Sequence, residues 1–332
     1  MIDMFKNFLL AFTCVMGINA CSSTHTELQA NAWQQVSAKG KLHQRHEASF
    51  VEYKGKFYSL GGRGIKPVDI FDPKSSTWQQ ASKPPFDIHH FQAVVYQDAI
   101  IIIGAMQGRY PKETAIKNII YYYPEQDRWE LKEEIPVDRR RGGAGVVIYQ
   151  DKLYLVAGIR NGHVGGFVPW LDEFDLKTRQ WKILPDAPRS RDHFQAGVVN
   201  GKIFAIGGRT TSQATKEVFS LVVNEIDQYD IHSQTWTTLS AKLAIGRAGT
   251  STLAVNDEIW LLGGESNRPS PAHNEVDVLN VTTLKLTSFQ PMVEGRHGTG
   301  AILYDNAVWT CCGAGTRGGK LELKTIEKIE LK

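Results

Sequence analysis

The chain has 332 residues, 42% of them apolar and 22% charged, and a formal net charge of +3. So small an excess of positive charge argues against a nucleic-acid partner, and no basic amphipathic helix or long run of like charge is present. The apolar content can fill a large core, and no segment beyond the N-terminus is apolar for long enough to span a bilayer.

The first twenty residues stand apart. Lys6 precedes an apolar run from Phe8 to Ile18, followed by Asn19-Ala20-Cys21-Ser22-Ser23. A short apolar run behind a basic residue has the shape of an export signal and is too short for a spanning helix. Ile18-Asn19-Ala20-Cys21 resembles the lipoprotein box of bacterial envelope proteins. That resemblance implies a signal peptide over 1–20, lipidation of Cys21, and a place in the cell envelope, at the periplasmic face or in the outer membrane. An ordinary signal peptide with a fortuitous cysteine is the alternative. Residues 21–30 then read as a polar tether and 31–332 as one folded domain.

From there the chain repeats itself. Six turn residues, Gly55, Asp98, Asp151, Gly201, Asp257 and Asn306, are spaced 43 to 56 residues apart. Each joins two short β-rich runs, the second ending in a Gly pair or its remnant, from Gly61-Gly62 to Cys312-Gly313. Asn200-Gly201 is the clearest hairpin signal, because a primed two-residue turn needs positive φ. A third run alternates, as in Val68-Asp69-Ile70-Phe71-Asp72, and a fourth carries Trp78, Trp129, Trp181 or Trp236. Four strands per copy, A to D, make a unit from which the fold must be read. The sixth copy has no fourth strand before Lys332, whereas Trp33-Gln34-Gln35-Val36 echoes Trp78-Gln79-Gln80-Ala81 ahead of the first. Pairing that N-terminal strand with the last copy would close a ring and remove two exposed sheet edges.

The Gly pair, the aliphatic-acidic-aromatic strand and the tryptophan about six residues later resemble the kelch repeat, over roughly residues 33–332. The resemblance implies an all-β, six-bladed β-propeller of four-stranded blades, closed by the N-terminal strand. It says little about chemistry, since kelch propellers serve as protein-binding modules, sugar isomerases and copper oxidases.

Ten residues before the turns stand Arg45, Arg141, Arg191, Arg247 and Arg296, with Ile88 in the second copy. These positions and the residues after the Gly pairs share the blade edge that carries the D–A crossovers and the B–C loops. The B–C loops are long in copies two, three and four, and function on a rigid scaffold gathers in such loops. Arg63, Arg160 and Arg209 join the five registered arginines as expected ligands of an anion, with His90 beside them and Trp170 placed to stack on a sugar ring or to anchor its loop. Each registered arginine also has a structural reading, donating to crossover carbonyls or pairing with Glu47, Asp87 or Asp138. Cations converging in a partly desolvated mouth require an answering anion, so a small acidic saccharide or an acidic peptide is the expected partner.

Glu265, Asp192, His193 and His297 are the acid/base candidates if the pocket is catalytic. Resemblance to the kelch sialic acid mutarotases then implies isomerisation of an acidic sugar, and a non-catalytic docking scaffold is the remaining reading. No Tyr and His set matches the copper oxidases, and Cys311 and Cys312 read as small residues packed at a strand end. With no phosphate loop and no metal-spaced His pair, neither cofactor nor metal is expected, and the chain is expected to act as a monomer.

Overall fold

A computed structural model describes residues 32–331. The expected signal peptide, the Cys21 lipidation site and the tether lie outside them. In the fourth copy Ala196–Val199 pairs with Lys202–Ala205, which pairs with Glu225–Asp230 and then Thr235–Lys242, all antiparallel. Asn200 (φ 51°) and Gly201 (φ 72°) make the first turn with the positive φ that their residue types favour. Six such four-stranded sheets form, and the last is completed from the other end of the chain: Gln34–Gln35 lies outside Ile326–Glu330. Each strand A touches the strands A of both neighbouring blades, in a cycle that returns to the first. The chain is therefore the closed six-bladed propeller that the repeat predicted.

Both faces of a blade are apolar, so the core is divided among the seams. Six clusters of buried side chains each join two adjacent blades, and the one containing Phe50, Phe57, Trp309 and Cys311 seals blade six to blade one. Strand D tryptophans lie on strand C aromatics, with ring centroids 4.9 Å apart for Phe71 and Trp78 and 4.5 Å for Tyr122 and Trp129. Strand C ends in Asp72, Asp175, Asp230 or Asn280, whose side-chain oxygen accepts two backbone N–H groups and turns the chain into strand D. Cys311 and Cys312 are free and buried.

The five registered arginines do not converge on a mouth. Arg45, Arg141, Arg191, Arg247 and Arg296 are at most 2% exposed, and each is bound inside its own blade. Each donates to the carbonyl sixteen residues further on, at the end of strand B: Gly61, Ala157, Gly207, Gly263 and Cys312. Each also pairs with an acid in strand C: Arg45 with Asp69 at 2.5 Å, Arg141 with Asp172 at 2.6 Å, Arg191 with Asp227 at 2.5 Å, Arg247 with Asp277 at 2.8 Å and Arg296 with Glu327 at 2.5 Å. Burial pulls the pKa of Arg141 and Arg191 down to about 10 against the opposing pull of Asp172 and Asp227, so both remain cationic at neutral pH. The answering anions are thus internal, supplied by the alternating strand C rather than by a ligand.

Blade two supports this reading by exception. Ile88 replaces the arginine, and Ile120 stands two residues before Tyr122, where the acid lies two residues before Phe71 in blade one. Both isoleucines are fully buried in one apolar cluster. A charge pair has been exchanged for an apolar pair at matched positions, as the high cost of a lone buried charge requires.

Arg45→Ile alone is therefore expected to cost about 3–5 kcal/mol in urea unfolding, because Asp69 is left charged and buried. The double replacement Arg45→Ile/Asp69→Ile, copying blade two, should cost clearly less than the single one.

Candidate functional site

Two residues after each registered position, the crossover reaches the propeller axis. Glu47, His90, Gly143, His193, Gly249 and Gly298 occupy equivalent places there, all left-handed, with φ between 52° and 66°. Their backbones form a ring: His90 N donates to Glu47 O, Gly143 N to His90 O, His193 N to Gly143 O, Gly249 N to His193 O and Gly298 N to Gly249 O, at 2.5–2.9 Å. Ala48 N closes the ring onto Gly298 O at 3.1 Å. The six surround a channel of about 30 Å3, room for little more than a water. Glycine takes this backbone freely, whereas a side chain there costs on the order of 1–3 kcal/mol. Glu47, His90 and His193 are therefore held against a local preference, and they are the chemically active members of the ring.

Above the ring lies a cavity of about 450 Å3 lined by His46, Glu47, Arg63, Tyr110, His163, Arg209, Phe219, Glu265 and His297. The long B–C loops supply part of its wall: Tyr110 from blade two, His163 from blade three and Phe219 from blade four. Arg209 donates from Nε to Thr211 Oγ1 at 2.8 Å and from Nη1 to Glu265 Oε1 at 2.5 Å, and its guanidinium lies 5.1 Å from the Phe219 ring centre. Arg63 donates to Glu113 Oε1 at 2.7 Å. His297 Nε2 is 3.0 Å from Thr316 O and 3.5 Å from Glu265 Oε2, while its Nδ1 is buried without a hydrogen-bond partner, 4.0 Å from Glu47 Oε1.

Beneath the cavity three imidazoles meet. The ring centroids of His90, His163 and His193 are 4.8–5.2 Å apart. Glu113 lies against His163 Nδ1, Asp192 against His193 Nδ1, and His89 Nδ1 is 2.6 Å from His90 Nδ1. Asp192 is fixed in turn by Thr211, through its N–H at 3.0 Å and its hydroxyl at 2.7 Å.

The electrostatics follow from burial opposed by charge. Burial alone would raise the Glu265 carboxyl, but His297 and Arg209 outweigh it and hold the pKa at about 2. Glu47, Glu113 and Asp192 are likewise lowered against burial, Glu47 by His193, His46 and His297, Glu113 by His163 and Arg63, and Asp192 by His193 and Arg209. Burial, reinforced by His89 and His193, pushes His90 well below the usual imidazole range, and burial lowers His163 despite Glu113.

Of the residues expected from sequence, Arg63, Arg209, Glu265 and His297 come together around the cavity. His90 and His193 lie at the ring below it, and Asp192 sits behind His193, away from the cavity wall. Arg160 and Trp170 belong elsewhere: the Trp170 ring packs on Arg139, at 4.2 Å, and on Arg160, at 5.3 Å, anchoring the third B–C loop. The cavity's Glu47 had a sequence reading only as an arginine partner, and Glu113 had none. The three-histidine cluster also escaped sequence reasoning, because its members come from three blades with no local spacing to reveal them.

This architecture defines a kelch-type β-propeller with its polar cavity on the B–C loop face. The chain belongs to the attractin/LZTR1 β-propeller family, whose model matches residues 19–308. The kelch-like protein terF of Aspergillus terreus is 24% identical over 250 residues, covering 73% of this chain and 53% of that protein. Alpha-scruin of Limulus polyphemus is 26% identical over 243 residues, covering 69% and 25%. The chain thus spans about half, or less, of the length of the curated relatives it matches. The solved structure of YjhT shares the fold with a TM-score of 0.73 at 14% identity, covering 87% of this chain and 98% of that one.

A carboxyl whose pKa is lower folded than unfolded stabilises the fold above its ordinary value, and that contribution disappears as pH falls through the folded value. For Glu265 the window runs from 4.5 down to about 2. Glu265→Gln should lower the melting temperature at pH 7 and reduce its fall between those limits, as thermal melts across that range would record.

Proposed function

We propose that the cavity binds a small anionic ligand of sugar size, an acidic saccharide being the chemistry that fits best. The observation carrying this reading is the pairing of two guanidinium groups, Arg63 and Arg209, with two aromatic walls, Tyr110 and Phe219, in one cavity of about 450 Å3. That volume lies within the roughly 300–1,000 Å3 of small-molecule sites. Arg209 uses Nε and Nη1 within the protein, which leaves Nη2 for a carboxylate, and Arg63 is a quarter exposed at its side chain. Charge-assisted contacts of this kind contribute about 1.5–3 kcal/mol each. The aromatic faces would take the apolar face of a sugar ring. We further propose that the protein works in the bacterial cell envelope, exported and held by a lipid on Cys21.

A second reading, isomerisation of the bound sugar as in a mutarotase, is favoured by His297. Its unpartnered Nδ1 is the kind of group that gives and takes a proton, whereas Glu265, held ionised to about pH 2, is a poor proton acceptor and serves better as a fixed charge.

The test is a thermal-shift series on the chain from residue 24, with sialic, uronic and sulfated sugars against neutral counterparts. A ligand at a hundred times its dissociation constant should stabilise the fold by about 2.7 kcal/mol. The shift should vanish in Arg63→Gln, measured against that variant's own unliganded melting. Absence of a shift with every acidic sugar would refute the reading and move the proposal to a protein partner docking on this face. With a ligand in hand, anomeric exchange followed by NMR should be lost in His297→Gln while the thermal shift persists.

A further inference from the structure

His90, His163 and His193 each offer one ring nitrogen within 4.8 Å of those of the other two. What lies behind each ring decides what those nitrogens are. Glu113 accepts from His163 Nδ1 at 3.0 Å, and Asp192 accepts from His193 Nδ1. A carboxylate behind an imidazole keeps the proton on the nitrogen it faces, so the opposite nitrogen carries a lone pair. His163 Nε2 and His193 Nε2 stand 3.1 Å apart. Two lone pairs therefore confront each other in a buried site, which is repulsive unless a positive centre joins them. His90 has Nδ1 engaged with His89, which leaves Nε2, buried and without a hydrogen-bond partner.

We propose that His90, His163 and His193 bind a divalent transition-metal ion of the zinc type. Three imidazoles, each with a partner behind it that fixes its orientation, form the ligand set of a site with an open fourth position. A tetrahedral ion with nitrogens at 2.0–2.1 Å holds them about 3.3 Å from one another, and the pair His163 and His193 already stands near that spacing. Four buried carboxylates, Glu47, Glu113, Asp192 and Glu265, surround the three rings with two guanidinium groups, Arg63 and Arg209, so the acids outnumber the permanent cations of the site. Glu47 Oε2 is 3.5 Å from His90 Nε2, and Glu47 and His163 both line the cavity. The open side of the ion thus faces the cavity, where it would polarise a ligand oxygen or bring the pKa of a bound water to about 7. The neighbouring group of Glu47, Glu265 and His297 is a poorer site, because Arg209 and Gly318 N already satisfy Glu265 and Thr316 O engages His297. This inference does not depend on the identity of the small-molecule ligand.

The competing positive centre is one proton shared by His163 and His193, and titration separates the two. The full chain, purified without a histidine tag and stripped with chelator, is titrated with Zn2+ by calorimetry and analysed for metal after dialysis. One equivalent at submicromolar affinity is expected, weakened about 10–100-fold by Asp192→Asn, which disturbs only the group behind a ligand. His163→Gln and His193→Gln should each abolish it, and the exposed His232→Gln should leave it unchanged. Co2+ should give the intense ligand-field bands of a tetrahedral site, a readout on the unaltered chain that stands even where a variant fails to fold. Folded protein that takes up no stoichiometric Zn2+, or one equivalent that survives in both His163→Gln and His193→Gln, would overturn the proposal.

Discussion

The buried tie between crossover and blade, an arginine paired with an acid in five blades and two isoleucines in blade two, is the contact on which the rest of the molecule depends. One guanidinium reaches the end of strand B and the acid of strand C while its backbone carries the incoming chain, so three segments meet at one side chain. Breaking it strands a charge in the interior, which makes the crossover one of the least adjustable parts of the blade. In those five blades the fixed crossover delivers the second residue beyond the arginine to the axis in a left-handed conformation; in blade two the apolar packing of Ile88 does the same for His90, and the six are joined into a ring by backbone hydrogen bonds.

The ring is sixfold in backbone and not in side chain. Gly143, Gly249 and Gly298 occupy the conformation without strain, and Glu47, His90 and His193 hold it with strain. Glycine is the residue an array of identical blades would use throughout. The departures, in blades one, two and four, lie under loops that add His163, Tyr110 and Phe219, and Arg209 with Glu265 completes the cavity wall. Buried charge accumulates here as it does in the blades, but its partners come from different blades and so give access to a cavity.

The blades were legible in the sequence because turn residues, Gly pairs and strand D tryptophans answer to local rules of conformation and packing. The direction of a side chain was not. Regular spacing showed that the arginines are equivalent, but equivalent positions can face the mouth or the blade interior, and only the strand C acids decide between them. Those acids were visible, in Val68-Asp69-Ile70-Phe71-Asp72 and its counterparts, as members of an alternating strand; their separation from the arginines in sequence hid the pairing. Arg63, Arg209, Glu265 and His297 could be found because they sit at fixed offsets from the repeat. His163 and Glu113 lie inside inserted loops, where no register exists, and their partners lie in other blades.

The closure of the ring has a mechanical consequence. The hoop is joined by a strand of two residues, Gln34 and Gln35, with Val36 N bonded to Ile326 O and the Trp33 indole donating to Gln290 O. Every other blade is continuous in the chain, so a pull applied ahead of Trp33 loads this joint first. The rivet is Trp33, seated in the seam between blades five and six and 5% exposed, because the two glutamines beside it face solvent and add little grip.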